Sequence, residues 1–331
     1  MKVISARNVN DAILIGLNSL MAEGVERDSR NGPVRVFPGP VTTYYEHPEE
    51  RVLFYPERDA NPYFHFMESL WMLSGRRDVQ WISLFSSNIA NYSDDGVTFH
   101  GAYGHRWRNW FRPIECDPQH DDFVIDQLET IAALLKQNPE DRRVVLQMWD
   151  ATADLGMQGK DFPCNLMATF RINPYGKLDM TVFNRSNDMI WGAYGANAVH
   201  FSVLQEVMAA WIGVPMGSYW QVSTNFHAYL DTLDKHSKLF DRYPGFDYYE
   251  TGQVSPMPIV NSPIAQWFRD LEMFMEVGPT IGLQDKFFKK VAVPMLQSWW
   301  AWKDKSDPKF HEKALGFADQ IASPDWRIAC K

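Results

Sequence analysis

The chain of 331 residues carries 41 Asp and Glu against 32 Lys and Arg, a net charge of −9, with 14% aromatic residues and three cysteines. So much aromatic surface excludes a disordered chain, and the acidic balance excludes a broad nucleic-acid footprint while leaving room for a local anion site. Cys116, Cys164 and Cys330 are odd in number, widely spaced and without Cys/His ligand spacing, which excludes a disulfide scaffold and gives no metal site.

In chain order, Asn10 is placed to cap a helix whose apolar positions Ile13, Leu14, Leu17, Leu20 and Met21 follow helical spacing, with Gly24 as its stop. Residues 1–25 contain no basic segment followed by an apolar core, so no secretion signal is read and a cytoplasmic location is expected. Residues 34–45 and 51–55 read as strands, the first broken by Pro38-Gly39-Pro40. Asn61-Pro62 is a cap followed by a first-turn proline and opens a helix to Ser74, with Gly75 after it. Residues 84–120 read as irregular, 122–137 as an amphipathic helix and 143–149 as a strand. Residues 166–172 and 178–183 alternate around Asn173-Pro-Tyr-Gly-Lys177, a hairpin pattern.

An apolar helix follows over 196–212 and a strand over 219–225. The uncharged stretch 207–230 holds too many Gly, Pro, Asn, Gln and Ser residues for a bilayer span and reads as core. Residues 264–277 form another helix, and the last fifty residues read as helices with Trp299, Trp300 and Trp302 facing inward. No repeat or composition break divides the chain. The pattern predicts one mixed α+β domain, 1–240, with a helical extension, 241–331, packed on it.

Four features can carry chemistry. Glu68 interrupts a nearly continuous apolar helix, so its carboxylate must reach a cleft or be paired, an environment suited to proton transfer. Cys164 stands at a strand entrance, where a free Cys is either a small hydrophobe or a nucleophile needing a positive neighbour. Arg142, Arg143 and Arg185 lie at strand boundaries and, with Ser186, suit forked recognition of phosphate, although Asp141 and Asp188 offer them surface ion pairs. Asn197, His227 and Tyr229 form a polar set in and beside apolar segments, and Asn can read a planar base edge. Taken singly, these also fit a Cys-His hydrolase using His65, His200 or His227 as base.

Taken together and in order, they resemble the thymidylate synthase family. Glu68-Ser-Leu-Trp71 with Leu73-Ser-Gly75 is similar to the family's catalytic-glutamate helix, and Tyr103-Gly-His-Arg-Trp-Arg108 to its YGxxWR element. Arg142-Arg143, Pro163-Cys164, Arg185-Ser-Asn-Asp188 with Gly192, Asn197 and His227-Ala-Tyr229 complete a series spanning roughly residues 10–235. The resemblance implies a large mixed sheet flanked by helices, one sheet face forming a homodimer interface.

It further implies that Cys164, its thiolate favoured by Arg185, adds to C6 of a pyrimidine deoxynucleotide, whose C5 then takes a one-carbon unit from 5,10-methylenetetrahydrofolate. Glu68 and Tyr103 would serve the chemistry. Arg30 or Arg27, Arg185 and Ser186, with Arg142 and Arg143 of the second subunit, would hold the phosphate. Asn197 would meet the base edge, and His227 and Tyr229 the deoxyribose hydroxyl. Asp188, Trp71, Asn165 and Gly192 would lie on the folate side. No metal, nucleic-acid or membrane partner is implied.

The departures from the family pattern are specific. Between Val97 and Tyr103 stand only Thr98-Phe-His-Gly-Ala102, where methylating members carry a longer, tryptophan-bearing insert that keeps water out. Asn165 replaces the usual His, the Gly192–Asn197 spacing is one residue longer, and Asp325-Trp-Arg-Ile-Ala-Cys-Lys331 does not match the family's closing tail. These features resemble the hydroxymethylating branch and imply dUMP to 5-hydroxymethyl-dUMP, of the kind viruses with modified DNA use, in host cytoplasm. Asn197 favours uracil over cytosine. Deoxycytidylate hydroxymethylation, methylation to dTMP, and a silent binding homologue are the alternatives.

Overall fold

The computed structural model describes residues 1–113, 124–241, 247–277 and 282–331. The chain opens with β1 (Lys2–Ala6) and α1 (Val9–Glu23), followed by β2 (Val25–Arg27), β3 (Val34–Val36) and β4 (Val41–Tyr45). α2 (Pro62–Leu73), α3 (Val79–Ile82), α4 (Tyr103–His105) and α5 (Gln127–Gln137) lead to β5 (Val145–Gln147) and α6 (Ala151–Asp154). Then come β6 (Asn165–Ile172), β7 (Leu178–Asn184), β8 (Asn187–Asp188), α7 (Asn197–Ile212), β9 (Met216–Ser223) and β10 (Phe226–Tyr229). α8 (Leu230–Lys235), α9 (Ile264–Val277), α10 (Val293–Lys303), α11 (Phe310–Ala318) and α12 (Pro324–Ala329) close the chain.

The strands form a mixed six-stranded sheet, ordered β1-β4-β9-β7-β6-β5, and a four-stranded sheet, ordered β2-β3-β10-β8. In the larger, β1 runs parallel to β4 and β7 to β9, while the other neighbours are antiparallel. α7 is apolar nearly all round and buries Val203, Leu204, Val207 and Met208 in the core, as a helix covered on several faces must. The smaller sheet organises the cleft: His227 pairs with Val36 on one side and Asp188 on the other, so three distant segments meet at one strand.

Asn61 caps α2 as expected, its side chain accepting the Phe64 N–H at 3.0 Å, and Gly75 follows at φ +73°. α2 buries Phe66, Met67, Leu70 and Trp71. A Cβ on Gly104 of α4 would stand 1.9 Å from the Met72 carbonyl oxygen, so only glycine lets α4 reach this helix. The extension packs on α2's other side. Phe66 meets Phe287 and Trp326 with ring centroids 5.5 and 5.1 Å apart, and the Tyr63 hydroxyl bonds Ser298 Oγ at 2.8 Å.

Several sequence expectations are corrected. Asn8, not Asn10, caps α1. Asn10 is buried and instead donates to the Val52 carbonyl at 3.1 Å and accepts the Phe54 N–H at 2.9 Å. With Tyr249 Oη taking the Val52 N–H, residues 51–55 find side-chain partners and form no strand. The expected helix from 122 begins at Gln127 with Asp126 as cap, residues 122 and 123 lying outside the described residues.

The strand read over 143–149 is confined to β5, because Met148 and Trp149 N–H both turn to the Leu166 carbonyl at 2.9 Å. Of the span 84–120 expected to be irregular, the described residues 84–113 hold a 3-10 turn at Ser87–Tyr92 and α4 with its continuation Arg106–Trp110. Trp299 is buried, but Trp300 and Trp302 are each 40% exposed. Cys330 is half-buried in the extension with its thiol pushed up to about 12 by burial, and Cys116 lies outside the described residues. The uncharged stretch became the end of α7, β9 and β10, and no described helix is long and apolar enough to cross a membrane.

Candidate active site

A cleft of about 690 Å³ opens between α2, the smaller sheet and the entrance to β6. Cys164 lines it. The Cys164 and Asn165 N–H groups both donate to Tyr103 Oη, at 3.0 and 3.3 Å, so the tyrosine on α4 fixes the backbone at Cys164. Arg185 holds the other side. Its N–H donates to the Cys164 carbonyl at 2.9 Å, Nε to Pro163 O at 2.8 Å and Nη2 to Phe162 O at 3.3 Å.

The thiol itself departs from expectation. Burial pushes Cys164 above the ordinary thiol range, Arg185 and Arg30 pull it down by less, and Asp161 adds to the rise. Arg185 therefore favours the thiolate without producing it in the free chain. Burial also raises the Tyr103 phenol, which stays protonated; having accepted two N–H groups, its own O–H remains a donor.

Glu68 reaches the same cleft from α2, with His200 Nε2 of α7 at 3.1 Å from its Oε2. That approach lacks hydrogen-bond alignment and leaves Nε2 without a hydrogen-bond partner. Burial, His200 and Arg58 keep His65 neutral, and it faces away from the cleft toward a second, smaller cavity. Among the described residues no histidine bonds the Cys164 thiol, which disfavours the Cys-His hydrolase arrangement.

Arg30, Ser186, His227 and Tyr229 line the cleft alongside Arg185. His227 Nδ1 lies 2.9 Å from Asn225 Oδ1, an orientation that directs the other ring nitrogen elsewhere. Arg27 on β2 is exposed and does not line the cleft. Arg142 and Arg143 also stand outside it: Arg143 forks onto Asp141 at 2.6 and 3.1 Å, with its side chain 80% exposed. Among the described residues of one chain, the cations lining the cleft are thus Arg30, Lys160 and Arg185.

Asn197 and Asn165 are buried behind the cleft wall in a chain of amides. Asn197 Nδ2 donates to Asn187 Oδ1 at 3.1 Å, and its Oδ1 accepts from Asn165 Nδ2 at 3.4 Å. Asn187 continues to Gln221 and to Ser223 Oγ at 3.0 Å, while Asn184 donates to Asn165. A Cβ on Gly192 would fall 2.6 Å from Asn187 Oδ1, so Gly192 serves this network. The segment leading to Asn197 is a widened π-type turn, Met189–Ala196, kinked at Tyr194 and Gly195.

Asp188 caps that turn through the Trp191 N–H at 2.6 Å; its buried Oδ2 has no hydrogen-bond partner and burial raises its carboxyl. Trp71 lines the cleft with its indole Nε1–H buried and unpaired. The Trp71 donor is an orphan that an acceptor on a ring bound in the cleft would satisfy, whereas Asp188 does not line the cleft.

Sequence reasoning missed Asp154, Asp161 and Trp149, all in the cleft wall. Asp154 forms a fully buried fork with Arg106, both contacts 2.8 Å, and holds His100 Nε2 at 2.7 Å. The available signal for Asp161 was its place three residues before Cys164.

The family model described as thymidylate synthase matches residues 16–249. The deoxyuridylate hydroxymethyltransferase of Pseudomonas phage M6 is 52% identical over 336 aligned residues, covering 99% of this chain and 92% of its own. That of Bacillus phage SP01 is 40% identical over 196 residues, 58% of this chain and 50% of its own. A thymidylate synthase of Corynebacterium aurimucosum is 30% identical over 55% of this chain and 65% of its own. The ordered residues around Cys164 and the match over most of its length together establish that the chain belongs to the thymidylate synthase family.

Proposed function

We propose that the protein transfers a one-carbon unit from 5,10-methylenetetrahydrofolate to C5 of dUMP, giving 5-hydroxymethyl-dUMP through a Cys164 adduct at C6. The observation that carries this reading is Cys164, clamped between Tyr103 and Arg185 in a cleft shared by Glu68 and a phosphate-suited cluster. Full-length similarity to a deoxyuridylate hydroxymethyltransferase supports the substrate and product.

Arg30, Arg185 and Ser186 hold the phosphate by charge-assisted hydrogen bonds, and His227 and Tyr229 the deoxyribose hydroxyl. The amide chain orients Asn197, whose second Nδ2 hydrogen and second Oδ1 lone pair match the adjacent O4 and N3–H of uracil. Cytosine presents the reverse pattern there, a mismatch costing about 1–3 kcal/mol.

The cleft fits a folate beside the nucleotide. Its volume suits a ligand pair, Trp71, Met72, Ile82 and Phe99 offer an apolar wall, and Trp71 Nε1–H waits for an acceptor. When bound, that donor supplies the methylene carbon. Glu68 moves protons at the base and at the departing pterin, Asp188 supports the pterin ring from behind, and Arg142 and Arg143 complete the phosphate site of a second subunit. The direct test incubates the protein with dUMP or dCMP and methylenetetrahydrofolate and weighs the product. A product one oxygen heavier than dTMP is expected from dUMP; dTMP with dihydrofolate would overturn the reading.

A further inference from the structure

Asp161 lies three residues before Cys164 and lines the same cleft. Its Oδ2 accepts the Gly101 N–H at 2.8 Å, which draws the short 98–102 loop against the nucleophile's strand entrance. Its Oδ1 has no hydrogen-bond partner among the described residues and is not among the atoms sealed from solvent. Gly101 leaves that oxygen room, since a Cβ there would stand 2.9 Å from it.

The charge has a cost that a structural role does not explain. Asp161 opposes ionisation of both Cys164 and Tyr103, whereas Asn would accept the Gly101 N–H without that penalty. A negative charge kept beside a nucleophile that must itself become negative points to a separate use of the carboxylate.

We propose that Asp161 is the general base toward the water that becomes the product's hydroxyl. The inference rests on the hydroxymethylating reading above. After the one-carbon unit is on C5 as an exocyclic methylene, with C6 still bonded to Cys164, water oxygen bonds to the methylene carbon and one water proton passes to Asp161 Oδ1. The methylene–C5 π electrons move toward O4 as an enolate; their return reforms C5=C6 and expels Cys164 as thiolate. Asp161 then releases its proton to solvent, so no oxidant or reductant is consumed.

The groups facing Asp161 are Gly101, His100 and Arg106 on one side, Asp94 on another, and Cys164 and Tyr103 along the cleft. Burial raises its carboxyl above the ordinary range while His100 and Arg106 temper the rise, making it a better proton acceptor than a solvated Asp.

The test is Asp161→Asn, which preserves the Gly101 acceptor, assayed with C5-tritiated dUMP, methylenetetrahydrofolate and 2-mercaptoethanol. Tritium release should stay within about threefold of wild type while hydroxymethyl-dUMP falls about 100-fold, the missing product emerging as a thioether at the methylene carbon. In the free variant, iodoacetamide should alkylate Cys164 faster at neutral pH. Hydroxymethyl-dUMP in wild-type proportion to tritium release, equal loss of both, or an unchanged alkylation rate would overturn the assignment. If the wild type made dTMP, the proposed function would fail with it; if both enzymes make hydroxymethyl-dUMP equally, only Asp161's role fails.

Discussion

At the scale of single residues, the decisive contest is at Cys164, where burial wins over two arginines. A thiol raised by desolvation is protonated at neutral pH, so its alkylation should rise with pH to a midpoint above that of an ordinary cysteine. Bound dUMP would shield the thiol from iodoacetamide. The sign for stability follows: the folded state holds this proton more tightly than the unfolded chain, so the contribution is complete below the unfolded pKa and is lost as pH rises through the folded one. Cys164→Ser should abolish tritium release while leaving dUMP affinity, read by calorimetry, within about threefold, because phosphate and sugar contacts carry the binding. Cys164, Glu68 and Arg185 were legible in the sequence because an unusual residue type stood in an apolar segment or at a strand boundary. Asp161 was not, since an Asp in a polar loop looks like any solvated charge until the fold lays Gly101 on it.

At the scale of elements, α2 and the small sheet do most of the positioning. Asn61→Ala removes a side-chain cap and should cost about 1 kcal/mol in urea unfolding. Gly104→Ala should cost more, roughly 1–3 kcal/mol, since its Cβ would collide with backbone and not with a movable side chain. Because Tyr103 is the preceding residue and its Oη accepts the Cys164 and Asn165 N–H groups, the Gly104 variant should also lose kcat at temperatures where it remains folded. The Asn61 cap, the proline at its first turn and the hairpin at 173–177 were readable because they are local. The 51–55 segment was not: its β-rich composition is real, but Asn10 and Tyr249 reach its backbone first, and neither is near in sequence.

At the scale of the whole molecule, the C-terminal helices are bonded into the catalytic half through α2. Trp326→Ala removes a large buried ring packed on Phe66 and should cost about 3–5 kcal/mol in a single unfolding transition. Two separate transitions would instead support an independent unit beyond residue 240. On the function proposed above, the exposed Arg142 and Arg143 reach the phosphate in a second subunit's cleft, Arg143 giving up its pair with Asp141 to do so. Mixing inactive Cys164→Ser with inactive Arg143→Ala should then restore roughly a quarter of the wild-type rate, since only mixed dimers hold one complete site. No recovery would count against a shared site. The sequence by itself determined the family pattern, because the cysteine, the carboxylate, the arginines and their order are properties of the chain, and it determined most elements, because caps and periodicity act over a few residues. Tertiary structure alone decided that Asn197 sits in an amide chain behind the cleft, that Arg143 lies outside it and that Asp161 lies within it. Burial and charge contacts arise between segments that are distant along the chain, and those contacts set which polar groups are satisfied, which are orphaned and which are free to react.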